Sequence, residues 1–229
     1  TDADSYDKYT FSARGSHKVG ALTFSSSLNY AYQKNKFATT GQGLSMLNSL
    51  YQSPRDVSII GLEDQNDPFN TPGYYYTPYG VMNPYYILEN YLNEYESERF
   101  YGKFQLDYEF LKYFKFTYRM GLDTTTAQSD KGKPNLYALY YEGTPNGEGQ
   151  GSSSPFSGET GQYTEQITRR REINQDIMVN FNMPISDFNI NALVGFNGNE
   201  RKVSYQYSEV NDLTIPTWFN LKNSGKTPI

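Results

Sequence analysis

The sequence contains no cysteine, a single histidine and a single tryptophan in 229 residues. Without cysteine the chain has neither a disulfide framework nor a thiolate metal site. The one histidine, His17, is expected in a short turn, and a Ser-His hydrolase site in the longer loops would need another. We therefore expect no catalytic residues and a protein that is not an enzyme.

The sequence contains no long apolar run, and we expect no signal peptide in it. No stretch approaches the roughly 18 apolar residues of a membrane helix. The opening TDADSYDKY lacks the basic and apolar regions of a signal peptide, so we expect a mature protein or an internal piece. The net charge of −5 argues against nucleic acid as a partner. The mean hydropathy of −0.73 is compatible with a membrane β-barrel, because half of each strand and the loops face water.

Residues that often hold metals or phosphates are sparse. The acids Glu63, Asp64 and Asp67 lie close together, but Pro68 stands where an EF-hand calcium loop needs a ligand. The glycine-rich segment 143–158 lacks the Gly-Lys-Ser/Thr ending of a phosphate-binding loop. We interpret both as solvated loops and expect no metal and no cofactor.

Aromatic residues are abundant, with 23 tyrosines and 14 phenylalanines, and they alternate with polar residues. In residues 98–126 one phase is apolar and aromatic: Phe100, Phe104, Leu106, Tyr108, Phe114, Phe116, Tyr118, Met120 and Leu122. The other phase carries charges of both signs, including Arg99, Lys103, Asp107, Lys115 and Arg119. A period of two places each phase on its own face of a sheet. The runs exceed the roughly 5 to 6 residues of a common strand and reach the ~9 to 11 residues of a transmembrane strand.

The same alternation predicts six strands. They lie near residues 8–15, 21–36, 98–110, 114–126, 163–183 and 188–207, with a short helix expected over 44–52. Short connections alternate with long ones, the long ones being 37–97, 127–162 and 208–229. This sorting is typical of outer-membrane barrels, which have short periplasmic turns and long extracellular loops.

Six strands are too few for a barrel with a wet interior, since the smallest barrels have about eight. The sequence therefore predicts an all-β fold, an antiparallel transmembrane β-barrel segment, with residues 1–229 forming part of one barrel domain. Two alternatives stay open: a soluble or secreted β-sandwich that binds carbohydrate, and a passive porin. Recovery without detergent would favour the sandwich, and a plug domain upstream would exclude the porin.

Within this pattern, residues 82–123 resemble the barrel of SusC/RagA-type TonB-dependent transporters of Bacteroidetes. Three short motifs carry the resemblance: Asn83-Pro84-Tyr85-Tyr86, Arg99-Phe100 and Gly121-Leu122-Asp123. Residues 169–197 are similar to a later hairpin of that family, and residues 5–32 to its early barrel strands. The likeness extends over essentially the whole chain, as a pattern of strands and turns.

This resemblance implies a barrel of about 22 strands with an N-terminal plug and a TonB-interacting segment. It implies import of glycans or peptides across the cell outer membrane, with extracellular loops and a SusD-like surface lipoprotein that covers the barrel. The chain contains neither plug nor TonB box, so it is expected to carry part of the machinery and to reach TonB through an N-terminal part. The other implied partners are the rest of the same barrel, outer-membrane lipid and an oligosaccharide or peptide substrate.

Candidate contact residues lie in the first long loop. They are Tyr74, Tyr75, Tyr76, Tyr79, Tyr85 and Tyr86. Their rings are expected to stack on sugar or peptide, or to pack against the lid protein. The alternative is that they fold the loop on itself.

The two strand phases predict which side chains meet lipid. Those expected to face lipid are Phe104, Leu106, Phe116, Tyr118, Val179 and Ile190. Those expected to face the interior, as lumen or as a surface packed on the plug, are Lys103, Gln105, Arg119, Asn180 and Asn191.

Three consecutive arginines lie near the long-loop end of the fifth predicted strand. Arg169 and Arg171 share the outward phase, where a guanidinium matches the phosphates of lipopolysaccharide. The alternative is that they pair with acids such as Glu165 or Glu172. Arg170 is expected to point inward.

Overall fold

The computed structural model describes residues 4–41, 45–56, 58–64, 67, 70, 82–140 and 159–226. In order, its elements are β1 (Ser5–Val19), β2 (Leu22–Lys36), α1 (Met46–Gln52), α2 (Pro84–Asn90), β3 (Leu92–Phe110), β4 (Phe114–Asn135), α3 (Leu136–Tyr140), β5 (Thr160–Ile185) and β6 (Phe188–Asn211). Over these ranges no helix has the length and apolar character needed to cross a membrane.

The strands form one antiparallel sheet in which each strand pairs with its neighbours along the chain, in the order β1 to β6. The predicted all-β fold with six antiparallel strands is therefore confirmed. β1 and β6 are the two edges, each with one hydrogen-bonded neighbour among the described strands. The turns after β1, β3 and β5 lie at one end of the sheet, which we call the turn end. The longer connections lie at the other, which we call the loop end.

The strands run further than the sequence pattern indicated. β4 has 22 residues and β5 has 26, so both continue into stretches expected to be loop. At the loop end, Glu94 pairs with Asp130 and Glu96 with Gln128 in the ladder of β3 and β4. Polar residues occupy both phases there, so the sequence shows no alternation of apolar and polar residues. The backbone hydrogen bonds between β3 and β4 nevertheless continue.

The expected turn around His17 is wrong. His17 lies in β1 opposite Phe24 of β2, and the connection is formed by Gly20 and Ala21. Gly20 has φ +59°, a left-handed conformation that glycine adopts without steric cost. The polar run before Gly20 interrupts the alternation without ending the strand. Pro184 likewise belongs to β5 rather than to the turn that follows it.

The register sorts the side chains onto two faces. Leu106, Tyr118, Ile177 and Phe196 lie side by side across four strands and define the apolar face. One residue along, Gln105, Arg119, Asp176 and Asn197 lie side by side and define the polar face. Every residue expected to face lipid lies on the apolar face, and every residue expected to face the interior lies on the polar face. Which face meets lipid stays a prediction.

Buried apolar residues are concentrated at the loop end rather than on the sheet. The apolar face is open along much of its length: Phe11 is 65% exposed, Val194 76% and Phe196 71%. No second sheet is formed by the described part of the chain, so nothing there covers this face as the partner layer of a sandwich would. The sheet alone does not build a globular core.

Two of the three described helices have helix-start signals in the sequence at their N-termini. The predicted helix over 44–52 is present as α1, where the Ser45 hydroxyl accepts a hydrogen bond of 3.1 Å from the Asn48 N–H. α2 was expected to be loop. It begins with Asn83 as cap and Pro84 at its first position, a combination that favours helix initiation.

Candidate functional site

Asn83 holds the loop end together. It is completely buried, and its side-chain amide donates to the Leu62 carbonyl at 2.9 Å and to the Asn70 carbonyl at 2.6 Å. Its Oδ1 accepts from the Tyr85 N–H at 3.0 Å. One side chain therefore joins two points of the first long connection to the start of α2.

A small apolar cluster packs below this junction. It consists of Met82, Tyr86, Ile87, Tyr91 and Leu136, with Met46 against it. Burial raises the pKa of Tyr91, with a smaller contribution from the Glu159 carboxylate, so its hydroxyl stays neutral. The cluster brings residues of α1, α2 and α3 into contact at the loop end.

The predicted contact tyrosines fall into two groups. Tyr86 is only 5% exposed and packs in the apolar cluster, which is the folding role left open for it by the sequence. Tyr85 is half-buried at the start of α2. The other four, Tyr74, Tyr75, Tyr76 and Tyr79, lie outside the described residues.

A second cluster anchors the segment after β6, which the sequence analysis treated as loop. Tyr163, Val210 and Leu213 form its centre, with Leu92, Phe219 and Leu221 packed against them. Asn223 is buried and donates to the carbonyls of Ile215 at 2.7 Å and Trp218 at 2.6 Å. Gly132 lies beneath the Phe219 ring, where an added Cβ would come within 2.5 Å of a ring carbon. The segment therefore folds back onto the sheet.

Ion pairs connect the strands on the polar face. Arg99 donates to Asp123 from Nε at 3.0 Å and from Nη2 at 2.5 Å. The other pairs on this face are Lys18–Glu109 at 3.5 Å, Lys115–Asp107 at 3.3 Å, Arg119–Asp176 at 3.8 Å and Arg201–Glu172 at 3.9 Å. Asp107 also accepts from Thr117 at 2.6 Å and from Gln105 at 2.9 Å. Charges of both signs thus lie side by side on this face, which in β6 also carries exposed apolar and aromatic side chains: Leu193, Val203, Tyr205 and Tyr207.

Grooves run between these side chains. A central groove of about 510 Å³ is lined by Lys8, Gln33, Arg99, Asp123 and Arg170 among others. A second of about 310 Å³ lies at the loop end beside Lys131 and Lys133. A third of about 600 Å³ lies toward the turn end beside Arg14 and Lys103. The polar face therefore offers water-accessible space with basic walls.

The three arginines of β5 divide between the faces as the pattern predicts. Arg169 and Arg171 lie in the rows of the apolar face, and Arg170 lies in the row of Arg99 and Thr125 on the polar face. Arg171 pairs with Glu200 of β6 at 3.5 Å, and Lys202 pairs with the same carboxylate at 3.4 Å. Arg169 is exposed and has no ion-pair partner in the ranges that the structure describes. The acid that meets Arg171 comes from the next strand rather than from Glu165 or Glu172.

The register thus places apolar and polar side chains on opposite sides of a single layer of strands. Among the described residues, no group of three or more His, Cys, Asp or Glu side chains could hold a metal ion. The described residues form one sheet with an apolar face, a charged and grooved face opposite, and a group of helices at the loop end.

No protein-family model matches the chain, and no curated protein matches it. Solved structures do. The chain is similar to a chain of the RagAB peptide transporter, with 14% identity and a TM-score of 0.67 over 99% of this chain and 24% of that one. It is similar to the RagAB peptide importer in the open-open state at 16% identity and a TM-score of 0.65, with the same coverage. In the closed-closed state the identity is 13% and the TM-score 0.64.

The chain thus spans about a quarter of the length of the solved chains that it matches. At these identities the likeness shows the fold alone. The chain has the fold of a fragment of an antiparallel β-barrel, and its six strands follow one another in the order of the sequence.

Proposed function

We propose that this chain is part of the barrel of a SusC-type TonB-dependent importer in the cell outer membrane. The apolar face meets lipid, and the polar face lines the interior. The turn end lies on the periplasmic side and the loop end outside the cell, as in barrels with short inner turns and long outer loops.

The exposed apolar face carries this proposal. Large side chains such as Phe11, Val194 and Phe196 are open on one side of the sheet, while the opposite side is charged. In water this exposure is unfavourable by about 25 cal/mol per Å² of apolar surface, whereas hydrocarbon removes the cost. A single layer of strands with these two faces is stable between lipid and an aqueous lumen. The edge strands β1 and β6 then pair with the rest of the same barrel, because unpaired backbone groups are not tolerated in lipid.

The partners follow from the same proposal. A SusD-like surface lipoprotein covers the loop end, and TonB acts through an N-terminal part of the protein. The matched structures are of a peptide transporter, which favours a peptide over an oligosaccharide as the substrate. The half-buried Tyr85 and the tyrosines at 74, 75, 76 and 79 are the proposed contacts with the substrate or the lipoprotein. Transport, rather than catalysis, is the proposed activity.

A pair of substitutions in β3 tests the facing. Phe104 lies on the apolar face and Gln105, the next residue, on the polar face. Arginine at the bilayer midplane on the lipid side costs about 2 to 4 kcal/mol. Phe104→Arg is therefore expected to reduce the amount of heat-modifiable, folded protein in the outer-membrane fraction far more than Gln105→Arg. Equal amounts of the two variants would contradict the proposed orientation.

Arg169 and Arg171 support a second, smaller proposal. They lie on the apolar face toward the loop end, above the apolar residues Ile173 and Ile177 of the same strand. In the proposed orientation this is the level of the outer-leaflet phosphates. We propose that the two guanidinium groups bind lipopolysaccharide phosphate, which arginine contacts with two parallel hydrogen bonds.

A further inference from the structure

Charge is distributed unevenly between the polar face and the rest of the chain. The chain as a whole carries a net charge of −5. The strand residues of the polar face nevertheless include more cations than acids. Their acids are Asp107, Glu109, Asp123, Glu172, Asp176 and Glu209. The first five of these are matched by the five ion pairs described above.

Glu209 accepts hydrogen bonds from neutral groups and also interacts electrostatically with Lys133, without a direct ion pair. Gln162 and Asn211 each donate to it at 2.9 Å, and the Tyr207 hydroxyl also donates to it. The cations of the face with no ion-pair partner among the described residues are Lys8, Arg14, Lys103, Lys131, Lys133 and Arg170. The polar face therefore carries an unneutralised positive charge within an acidic chain.

These cations occupy three levels along the strands. Lys131 and Lys133 line the groove at the loop end. Lys8 and Arg170 line the central groove. Arg14 and Lys103 line the groove toward the turn end, where both lie in the row of Ser27. We call this set the cationic track.

The track is long enough for an extended ligand. Lys131 lies opposite Thr164 of β5, and the row of Lys103 reaches Asn174 of the same strand through Gly121. At about 3.3 Å per residue, the distance along β5 between these two rows is roughly 33 Å. The central groove also includes Asp123 and Glu172, but each is paired with an arginine, so the unpaired charge along the track is positive. A groove with an excess of one sign of charge concentrates ligands of the other sign. Side chains between the cations, such as Gln33, Thr125 and Gln162, supply neutral donors and acceptors.

We propose that the cationic track binds peptides rich in aspartate and glutamate and guides them along the polar face from the loop end. This inference rests on the proposed function, because it makes the polar face the lining of the import path. Lysine and arginine bind carboxylates through charge-assisted hydrogen bonds, and the neutral side chains match the amides of an extended backbone.

The test compares two peptides on the full-length protein in detergent. The peptides have the same length, and one carries glutamate wherever the other carries glutamine. We expect the dissociation constant of the glutamate peptide, measured by calorimetry, to be at least tenfold lower at low salt. The difference is expected to shrink as salt is added, since exposed charges are screened beyond about 10 Å at 0.1 M.

Two neighbouring arginines provide a matched pair of variants. Arg170→Gln removes a cation of the track and is expected to weaken binding of the glutamate peptide about threefold, the effect of one accessible ion pair. Arg169→Gln removes the same charge one residue away on the apolar face and is expected to leave binding unchanged. The double variant Lys131→Gln/Lys133→Gln is expected to weaken the glutamate peptide and not the glutamine peptide.

Three results would overturn the inference. The first is equal affinity for the two peptides, and the second is an equal loss with Arg169→Gln and Arg170→Gln. The third is binding of neither peptide together with a lower unfolding temperature in the Arg170 variant, which would mean that another part of the protein occupies the track. The proposed importer stands in all three cases if Phe104→Arg, and not Gln105→Arg, impairs assembly.

Discussion

Arg99 of β3 and Asp123 of β4 form a two-pronged ion pair across the polar face, with N–O distances of 3.0 and 2.5 Å. The guanidinium also lies 4.7 Å from the centre of the Tyr101 ring. Both charged side chains keep access to solvent, at 51% and 37% exposure. A pair this open contributes geometry more than energy, and the same holds for Lys18–Glu109 and Arg201–Glu172, whereas Asp107 in its pair with Lys115 is largely buried.

Replacing Arg99 tests whether its ion pair with Asp123 contributes little to stability. Arg99→Ala leaves Asp123 without its partner and is expected to lower the free energy of unfolding by about 0.5 to 1 kcal/mol. Arg99→Lys keeps the charge but loses the two parallel hydrogen bonds, so it is expected to recover only part of the loss. Unfolding of the purified protein in urea with detergent measures both. A loss above about 3 kcal/mol would mean that the pair is buried by a part of the protein packed on this face.

Lipopolysaccharide retention tests the outward arginines. Arg169→Ala/Arg171→Ala is expected to reduce the lipopolysaccharide that copurifies with the protein, because two phosphate ligands are lost. Arg170→Ala, on the opposite face, is the matched control and is expected to retain the wild-type amount. Since Glu200 competes for Arg171 at 3.5 Å, Glu200→Gln is expected to retain at least as much lipopolysaccharide as the wild type. Unchanged retention in the double variant would show that Arg169 and Arg171 do not bind lipopolysaccharide.

The junction at Asn83 is expected to control the order of the loop end. Asn83→Ala removes the amide that donates to the carbonyls of Leu62 and Asn70, which costs about 2 kcal/mol locally. We expect hydrogen exchange of the Ile87 and Tyr91 amides to accelerate roughly thirtyfold, since each 1.4 kcal/mol is a factor of ten. Asn90→Ala on the same helix removes a single bond to the Tyr86 carbonyl and serves as control. Wild-type exchange in Asn83→Ala would show that the apolar cluster alone orders α2.

The segment after β6 is expected to loosen in acid. Lys226 and Thr160 hold the pKa of Asp212 below its usual value of 3.8 through hydrogen bonds, mainly that of Lys226. Because the folded-state pKa is lowered, this contact stabilises the segment fully above about pH 4 and is lost as the pH falls further. Proteolysis of residues 212–226 with pepsin should therefore accelerate below pH 4. In Asp212→Asn the segment should be cleaved readily at pH 4 to 5 as well, and an identical pH profile in the variant would contradict the role of the carboxylate.

Much of the fold is encoded in the period-two pattern. Residues such as Phe104 and Leu106 against Gln105 and Lys103 predicted both faces of β3, and the register bears this out. The pattern fails where both phases are polar, as at Glu94 and Glu96, because strand pairing there depends on backbone hydrogen bonds to the neighbouring strand rather than on burial. The prediction therefore started β3 too late and ended β4 too early.

The details of the site depend on contacts between distant residues. The partner of Arg171 is Glu200, 29 residues away, and the anchor of Asn135 is the carbonyl of Leu213. A local pattern contains no information on such pairs until the register is known. The excess of cations is different, since it follows from the alternation itself: counting charges separately for each phase would have revealed it in the sequence.

The central claim is that the apolar face of the sheet meets lipid and the polar face meets water. Quenching of a fluorescent label by lipid measures this directly. Because the chain has no cysteine, Phe104→Cys and Gln105→Cys each introduce a single thiol into this segment, and a fluorescent label is attached to it. The labelled protein is then refolded in bilayers whose lipids carry brominated acyl chains. The label at 104 is expected to be quenched strongly by the brominated lipid, and the label at 105 to be quenched by aqueous iodide instead. Strong lipid quenching at 105, or aqueous quenching of both labels alike, would contradict a membrane wall with its polar face inside.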